Sequence, residues 1–89
     1  MPSGDLERKV LEALKNVIDP EVGLNVVEMG LIREVKIEGE KAKIKMTLTV
    51  PSFMCPLARY LVAKVREEAL KVPGISVAEV ILIEPYVQE

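Results

Sequence analysis

The chain has 89 residues, enough for one small domain with a single core. Twelve basic residues stand against 14 acidic ones, for a formal charge of −2, and the three aromatics, Phe53, Tyr60 and Tyr86, are not interleaved with any basic run. That balance excludes a protein built mainly to neutralise phosphates or stack bases, so nucleic acid is not an expected partner.

The first predicted element is a helix, because Leu6, Val10, Ala13, Leu14 and Val17 fall on one stripe. Ser3 or Asp5 can cap it, and Pro20 forces Asp19 out of helical space, so the helix ends by Ile18. Asp19-Pro20-Glu21-Val22-Gly23 has turn composition, and Leu24 to Met29 reads as a strand or an irregular extended segment. Leu31, Arg33, Val35 and Ile37 then alternate with Ile32, Glu34, Lys36 and Glu38. After Gly39-Glu40 the pattern resumes, with Ala42, Ile44, Met46, Leu48 and Val50 opposite Lys41, Lys43, Lys45, Thr47 and Thr49. Glycine at the first loop position fits a type II′ hairpin with one buried face. The lysine row is a solvated face or a receiver for an acidic partner.

A second helix runs from Pro56 to about Val72 on the spacing of Ala58, Leu61, Val62, Val65 and Ala69, and Pro73-Gly74 ends it. The final strand, Ile75 to Ile83, is apolar on both alternating faces. It therefore belongs in the sheet centre or at a subunit contact, which leaves room for a homodimer. Strand, helix and strand make a right-handed crossover, so this strand lies parallel to the second one. The expected fold is a single α/β domain of the α+β type, residues 1–89, in which two helices pack on one face of a small three- or four-stranded mixed sheet.

Between the second strand and the second helix sits Cys55, in a chain with no other cysteine and no histidine. No internal disulfide can form, and any soft ligand or nucleophile near neutral pH must be Cys55. With Pro56 as the first helical residue, Cys55 becomes the N-cap, beside unpaired N–H groups and the positive end of the helix dipole, where a thiolate is stabilised. A lone cysteine is equally at home as a small core hydrophobe, and Met46, Leu48, Val50, Leu57 and Leu61 could share a core with it. No window approaches the roughly 18 apolar residues of a membrane span, and Met1-Pro2-Ser3-Gly4-Asp5 leads into a charged segment. A soluble, cytoplasmic protein with no membrane partner is expected.

Two runs carry a resemblance. Asp19-Pro20-Glu21-Val22-Gly23-Leu24-Asn25-Val26-Val27-Glu28-Met29-Gly30-Leu31-Ile32 and Met46-Thr47-Leu48-Thr49, followed by Pro51 and Cys55-Pro56, resemble the two motifs of the metal–sulfur cluster biosynthesis family. That family includes the SufT and PaaD proteins and the targeting subunit of the eukaryotic cytosolic iron–sulfur assembly machinery. Gly23 and Gly30 permit turns that a Cβ would resist, and Pro20 fixes one end of the acidic loop. Ser52, Phe53 and Met54 separate Pro51 from Cys55, a longer spacing than in many relatives.

The resemblance implies that Asp19, Glu21, Thr49 and Cys55 meet at one functional site, with Asn25, Glu28 and Thr47 as secondary candidates and Cys55 as a transient or shared metal ligand. It implies an accessory factor in iron–sulfur cluster assembly or transfer, whose partners are assembly proteins and recipient apo-proteins. One thiolate cannot ligate a conventional cluster alone, since such clusters take four. No tightly bound cofactor is therefore expected, only transient iron or an iron–sulfur cluster. Two alternatives stand beside this reading: a protein-binding scaffold with a structural cysteine, and an enzyme in which Cys55 attacks an electrophile with carboxylate assistance.

Overall fold

The computed structural model describes residues 2–48 and 57–83. Five elements follow in order: α1 (Pro2–Leu14), β1 (Ile32–Glu38), β2 (Lys41–Thr47), α2 (Ala58–Leu70) and β3 (Val77–Ile83). β2 is the central strand, with β1 antiparallel on one side and β3 parallel on the other. Both helices lie on one face, α1 against β1 and α2 against β3, and they touch each other. This is the expected two-layer α/β domain, with three strands.

The alternation of β2 sets the layers. Ala42, Ile44 and Met46 are fully buried and Leu48 nearly so, facing Val10, Leu14, Leu61 and Val65 from the helices. The hairpin closes on the Glu38 and Lys41 pair, and Gly39 has φ 64°, the positive value taken at the first loop position of type I′ and II′ turns alike. On the open face, the acids that meet the lysine row are the chain's own: Lys45 bonds Glu34 at 3.2 Å, Lys41 bonds Glu79 at 3.1 Å, and Glu38 lies between Lys36 and Lys43 at 3.6 and 3.7 Å. Each exposed pair is worth no more than about 1 kcal/mol. Their effect is to neutralise the row.

Several boundaries differ from the expected ones. α1 begins at Pro2, so Ser3 and Asp5 lie inside it and Asp5 sits in the first turn, where its charge favours the dipole. In β1 the pairing advances from Ile32 opposite Met46 to Glu34 opposite Lys45, so Arg33 is the extra residue of a β-bulge. The bulge changes the parity of the strand: Ile32, Val35 and Ile37 share the core face, and Arg33 is expelled from it. β3 is an edge strand and not the sheet centre, because the crossover returns beside β2 with nothing beyond it among the described residues.

α2 also starts later than expected. Leu57 stands at the N-cap position, with φ −94° and ψ 0°, and its carbonyl accepts the first helical bond from the Leu61 N–H at 2.9 Å. The expected start at Pro56, with Cys55 as N-cap, is therefore two residues too early.

One polar group in the helix layer was not anticipated. Glu68 follows the stripe of Leu61 and Val65 and is buried between the helices, where Lys71 Nζ donates to it at 2.9 Å and Asn16 Nδ2 at 3.5 Å. The Lys71 hydrogen bond outweighs the opposing effect of burial and, with the Lys71 charge and Asn16, holds the Glu68 carboxyl below the usual glutamate range. The same bond holds the Lys71 ammonium above the usual lysine range. Because the folded Glu68 value is depressed, its stabilisation is present above the unfolded value near 4.5 and is lost as pH falls through the folded value. Lys71 is two-thirds exposed, so solvent screens the pair and the effect is small. Urea unfolding of the wild type and Glu68→Gln between pH 3 and 7 checks this: the wild type should lose stability on acidification more steeply than the variant.

Candidate functional site at the carboxyl end of the central strand

The first motif folds as two consecutive capped turns. In the first, the Asp19 carbonyl accepts from the N–H groups of Val22 (3.2 Å) and Gly23 (2.7 Å), while the Asp19 N–H donates to the Leu24 carbonyl at 2.9 Å. Asp19 Oδ1 accepts from the Glu21 N–H at 2.8 Å, an Asx-type bond that orders the backbone around Pro20. Asp19 is accordingly buried, 9% exposed, whereas Glu21 projects from the tip of the loop into solvent. An isolated bridge between Ile18 and Asn25 closes the base.

The second turn begins where the first closes. Asn25 Oδ1 accepts from the Glu28 N–H at 2.8 Å, and Glu28 Oε1 accepts from the Asn25 N–H at 3.3 Å. That reciprocal pair is a capping box with asparagine in the cap position. The turn ends at Gly30, φ 74°, with bonds from the Gly30 N–H to the Val27 carbonyl (3.1 Å) and from the Leu31 N–H to the Val26 carbonyl (3.0 Å), the two bonds of a Schellman motif. The segment Leu24 to Met29, expected as a strand or extended, is instead one helical turn capped at both ends. Its apolar residues misled because Val26 is buried by the turn itself, through a bond from its N–H to the Val17 carbonyl at 3.0 Å.

This double turn is tied to the central strand. The Thr47 N–H donates to the Leu31 carbonyl at 2.8 Å, so the acidic segment ends beside the last residues of β2. Thr47 Oγ1 donates to the Ile83 carbonyl at 2.8 Å and joins the carboxyl ends of β2 and β3. From there the chain enters residues 49–56 and returns at Leu57, the start of α2. In a parallel crossover this places the ends of β2 and β3, the start of α2 and the Leu31 end of the double turn at one end of the sheet, the usual place for binding in such folds. Thr49 and Cys55 belong to residues 49–56 and lie outside the described residues.

Of the expected site residues, Asp19, Asn25, Glu28 and Thr47 are each engaged in bonds that hold the backbone, and Glu21 and Glu28 are the exposed carboxylates of the motif. Among the described residues no three carboxylates are grouped so as to hold a metal ion. The loop also carries exposed apolar groups that the sequence reading did not single out: Ile18, Val22 and Leu24 are 43%, 56% and 44% exposed. Their signal was present in the alternation of apolar and turn residues, but apolar residues beside a predicted helix end are normally assigned to the core.

The fold and its paired turns define a class: a small α/β domain that displays an ordered acidic loop at the carboxyl end of a β-α-β crossover. The chain belongs to the iron–sulfur cluster assembly protein family, whose pattern matches residues 7–82. It is 32% identical over 78 residues to the Fe-S protein maturation auxiliary factor YitW of Bacillus subtilis, covering 88% of this chain and 76% of that one. It is 38% identical over 66 residues to an iron-sulfur cluster carrier protein of Deinococcus radiodurans, covering 74% of this chain and only 18% of the carrier. Among solved structures, a domain of unknown function from Bacillus anthracis superposes with a TM-score of 0.84 at 34% identity, over 93% of this chain and 78% of that one.

The bond pattern separates structural from chemical roles at the motif. Asn25→Ala removes the cap and should cost about 0.5–2 kcal/mol. At Gly30 nothing lies within 4 Å of where a Cβ would be, so Gly30→Ala should cost only backbone strain, on the order of 1–2 kcal/mol, and Gly30→Asn less. Chemical denaturation of the three variants checks the order; equal stability of Gly30→Ala and the wild type would contradict the Schellman assignment.

Proposed function

We propose that this protein is an accessory factor in iron–sulfur protein maturation, which takes up an iron–sulfur cluster or iron transiently and hands it to recipient apo-proteins. The observation that carries the reading is the 2.8 Å bond from Thr47 to Leu31, which joins the acidic motif to the strand that leads into the Thr49 and Cys55 segment. Cys55 supplies the soft ligand, Glu21 the exposed carboxylate, and Thr49 a hydroxyl on the way to the sulfur. Asp19 positions Glu21 through the bond to its N–H. Because one thiolate leaves a cluster under-ligated, the remaining ligands come from small thiols or from the partner, and such shared ligation makes release easy. Assembly proteins and recipients are the partners, in a reducing compartment such as the cytoplasm.

The exposed Ile18, Val22 and Leu24 favour a second reading, in which the loop docks recipient proteins and the cysteine carries no cargo. Anaerobic reconstitution with ferrous iron and sulfide, followed by transfer to an apo-enzyme whose activity reports cluster insertion, separates the two. Cys55→Ser should lower both the bound iron and the transfer rate about tenfold or more while remaining folded. Glu21→Gln should lower transfer more than Asp19→Asn, since the carboxamide at position 19 keeps an oxygen for the Glu21 N–H. Transfer by Cys55→Ser at the wild-type rate would remove the carrier reading and leave the docking one.

A further inference from the structure

We propose that β3 pairs edge to edge with β3 of a second copy of this chain, antiparallel about Val80, to form a continuous six-stranded sheet. The proposal rests on the strand edge alone and is independent of what the cysteine carries. The two sheet edges are built differently. β1 is interrupted by the bulge at Arg33 and carries Arg33, Glu34, Lys36 and Glu38, the devices that block strand addition. β3 runs seven residues without a bulge, carries one charge, Glu79, and presents Val77 and Ile83 at 48% and 40% exposure. Among the described residues nothing pairs with its outer edge. Such an edge invites a partner.

The register follows from hydrogen bonding and charge. The Val77 N–H points toward β2, where it donates to the Glu40 carbonyl, and backbone groups alternate in direction along a strand. Ala78, Val80 and Leu82 therefore present their N–H and C=O groups to the outer edge. A twofold axis through Val80 sets Val80 against Val80 and Ala78 against Leu82, so each of those groups meets a partner and all of β3 is used. Glu79 then faces Ile81 of the second copy. Sliding the pairing by two residues in one direction sets Glu79 against Glu79, and in the other it shortens the overlap. An axis perpendicular to the sheet also keeps both helical layers on one side. A second copy of this strand thus satisfies the edge in one register.

This arrangement has a consequence for the site. The strands run in opposite directions across the twofold axis, and seven residues span about 23 Å. The two carboxyl ends of β2, and the starts of α2 that follow them, lie at opposite ends of the joined sheet.

Sedimentation equilibrium on the full chain tests the proposal. One strand edge buries less than the roughly 1,000 Å² of a stable interface, so the dissociation constant should fall between about 10 µM and 1 mM. Ile81→Glu sets a like charge against Glu79 twice and should weaken association roughly tenfold, whereas Ile81→Lys sets an opposite charge there and should preserve or strengthen it. Amide exchange at Ala78, Val80 and Leu82 should slow as concentration rises. A wild type that stays monomeric to about 1 mM would overturn the proposal, and equal weakening by both charges would overturn the register.

Discussion

The structure depends on the strict two-residue period of β2. Every other element is placed by it: its buried row of Ala42, Ile44, Met46 and Leu48 receives both helices, and its backbone is paired on both sides. A slip of one residue would turn that row outward and bring the lysines into the core, at a desolvation cost far beyond the stability of a domain this size. The register is therefore fixed, and the position of Thr47 is fixed with it.

That dependence explains which features were legible. The hairpin, the parallel crossover, the layer order and both helices follow from periodicities of 2 and 3.6, because burial acts on every residue of a long element. The bulge at Arg33 did not follow, since one extra residue shifts parity without disturbing the apparent alternation, and Leu31 and Ile32 fit either reading. The turn at Asn25 to Gly30 was hidden for a different reason. Its spacing of asparagine, glutamate and glycine is a cap signature, but the helix it caps is one turn long and has no period to detect. β3 was expected at the sheet centre or at a subunit contact because of its apolar faces; its place at the sheet edge comes from a crossover whose far side has no further strand among the described residues.

The motif residues divide by function in a way that the motif alone does not reveal. Asn25, Glu28 and Gly30 satisfy backbone groups of one turn, Asp19 satisfies those of another, and Thr47 fastens two strand ends. Those bonds hold the fold, although Glu28 also stays exposed. What the loop offers outward is Glu21, with Ile18, Val22 and Leu24 around it. A family pattern of this kind thus mixes residues that build a presenting surface with those that use it, and only hydrogen-bond partners tell them apart. On the proposed function the chemistry rests on very few groups: the Glu21 carboxylate, the Cys55 thiol and the Thr49 hydroxyl.

The central claim is that Cys55 and the acidic double turn share one end of the sheet. A single cysteine makes it directly measurable: a nitroxide attached to Cys55 broadens the amide signals of nearby residues by paramagnetic relaxation, read as intensity ratios before and after reduction of the label. The account predicts strong broadening for Glu21 to Leu31 and for Thr47, with Gly39 and Glu40 at the hairpin turn unaffected. Intact signals through Glu21 to Leu31, or broadening centred on Gly39 and Glu40, would contradict it.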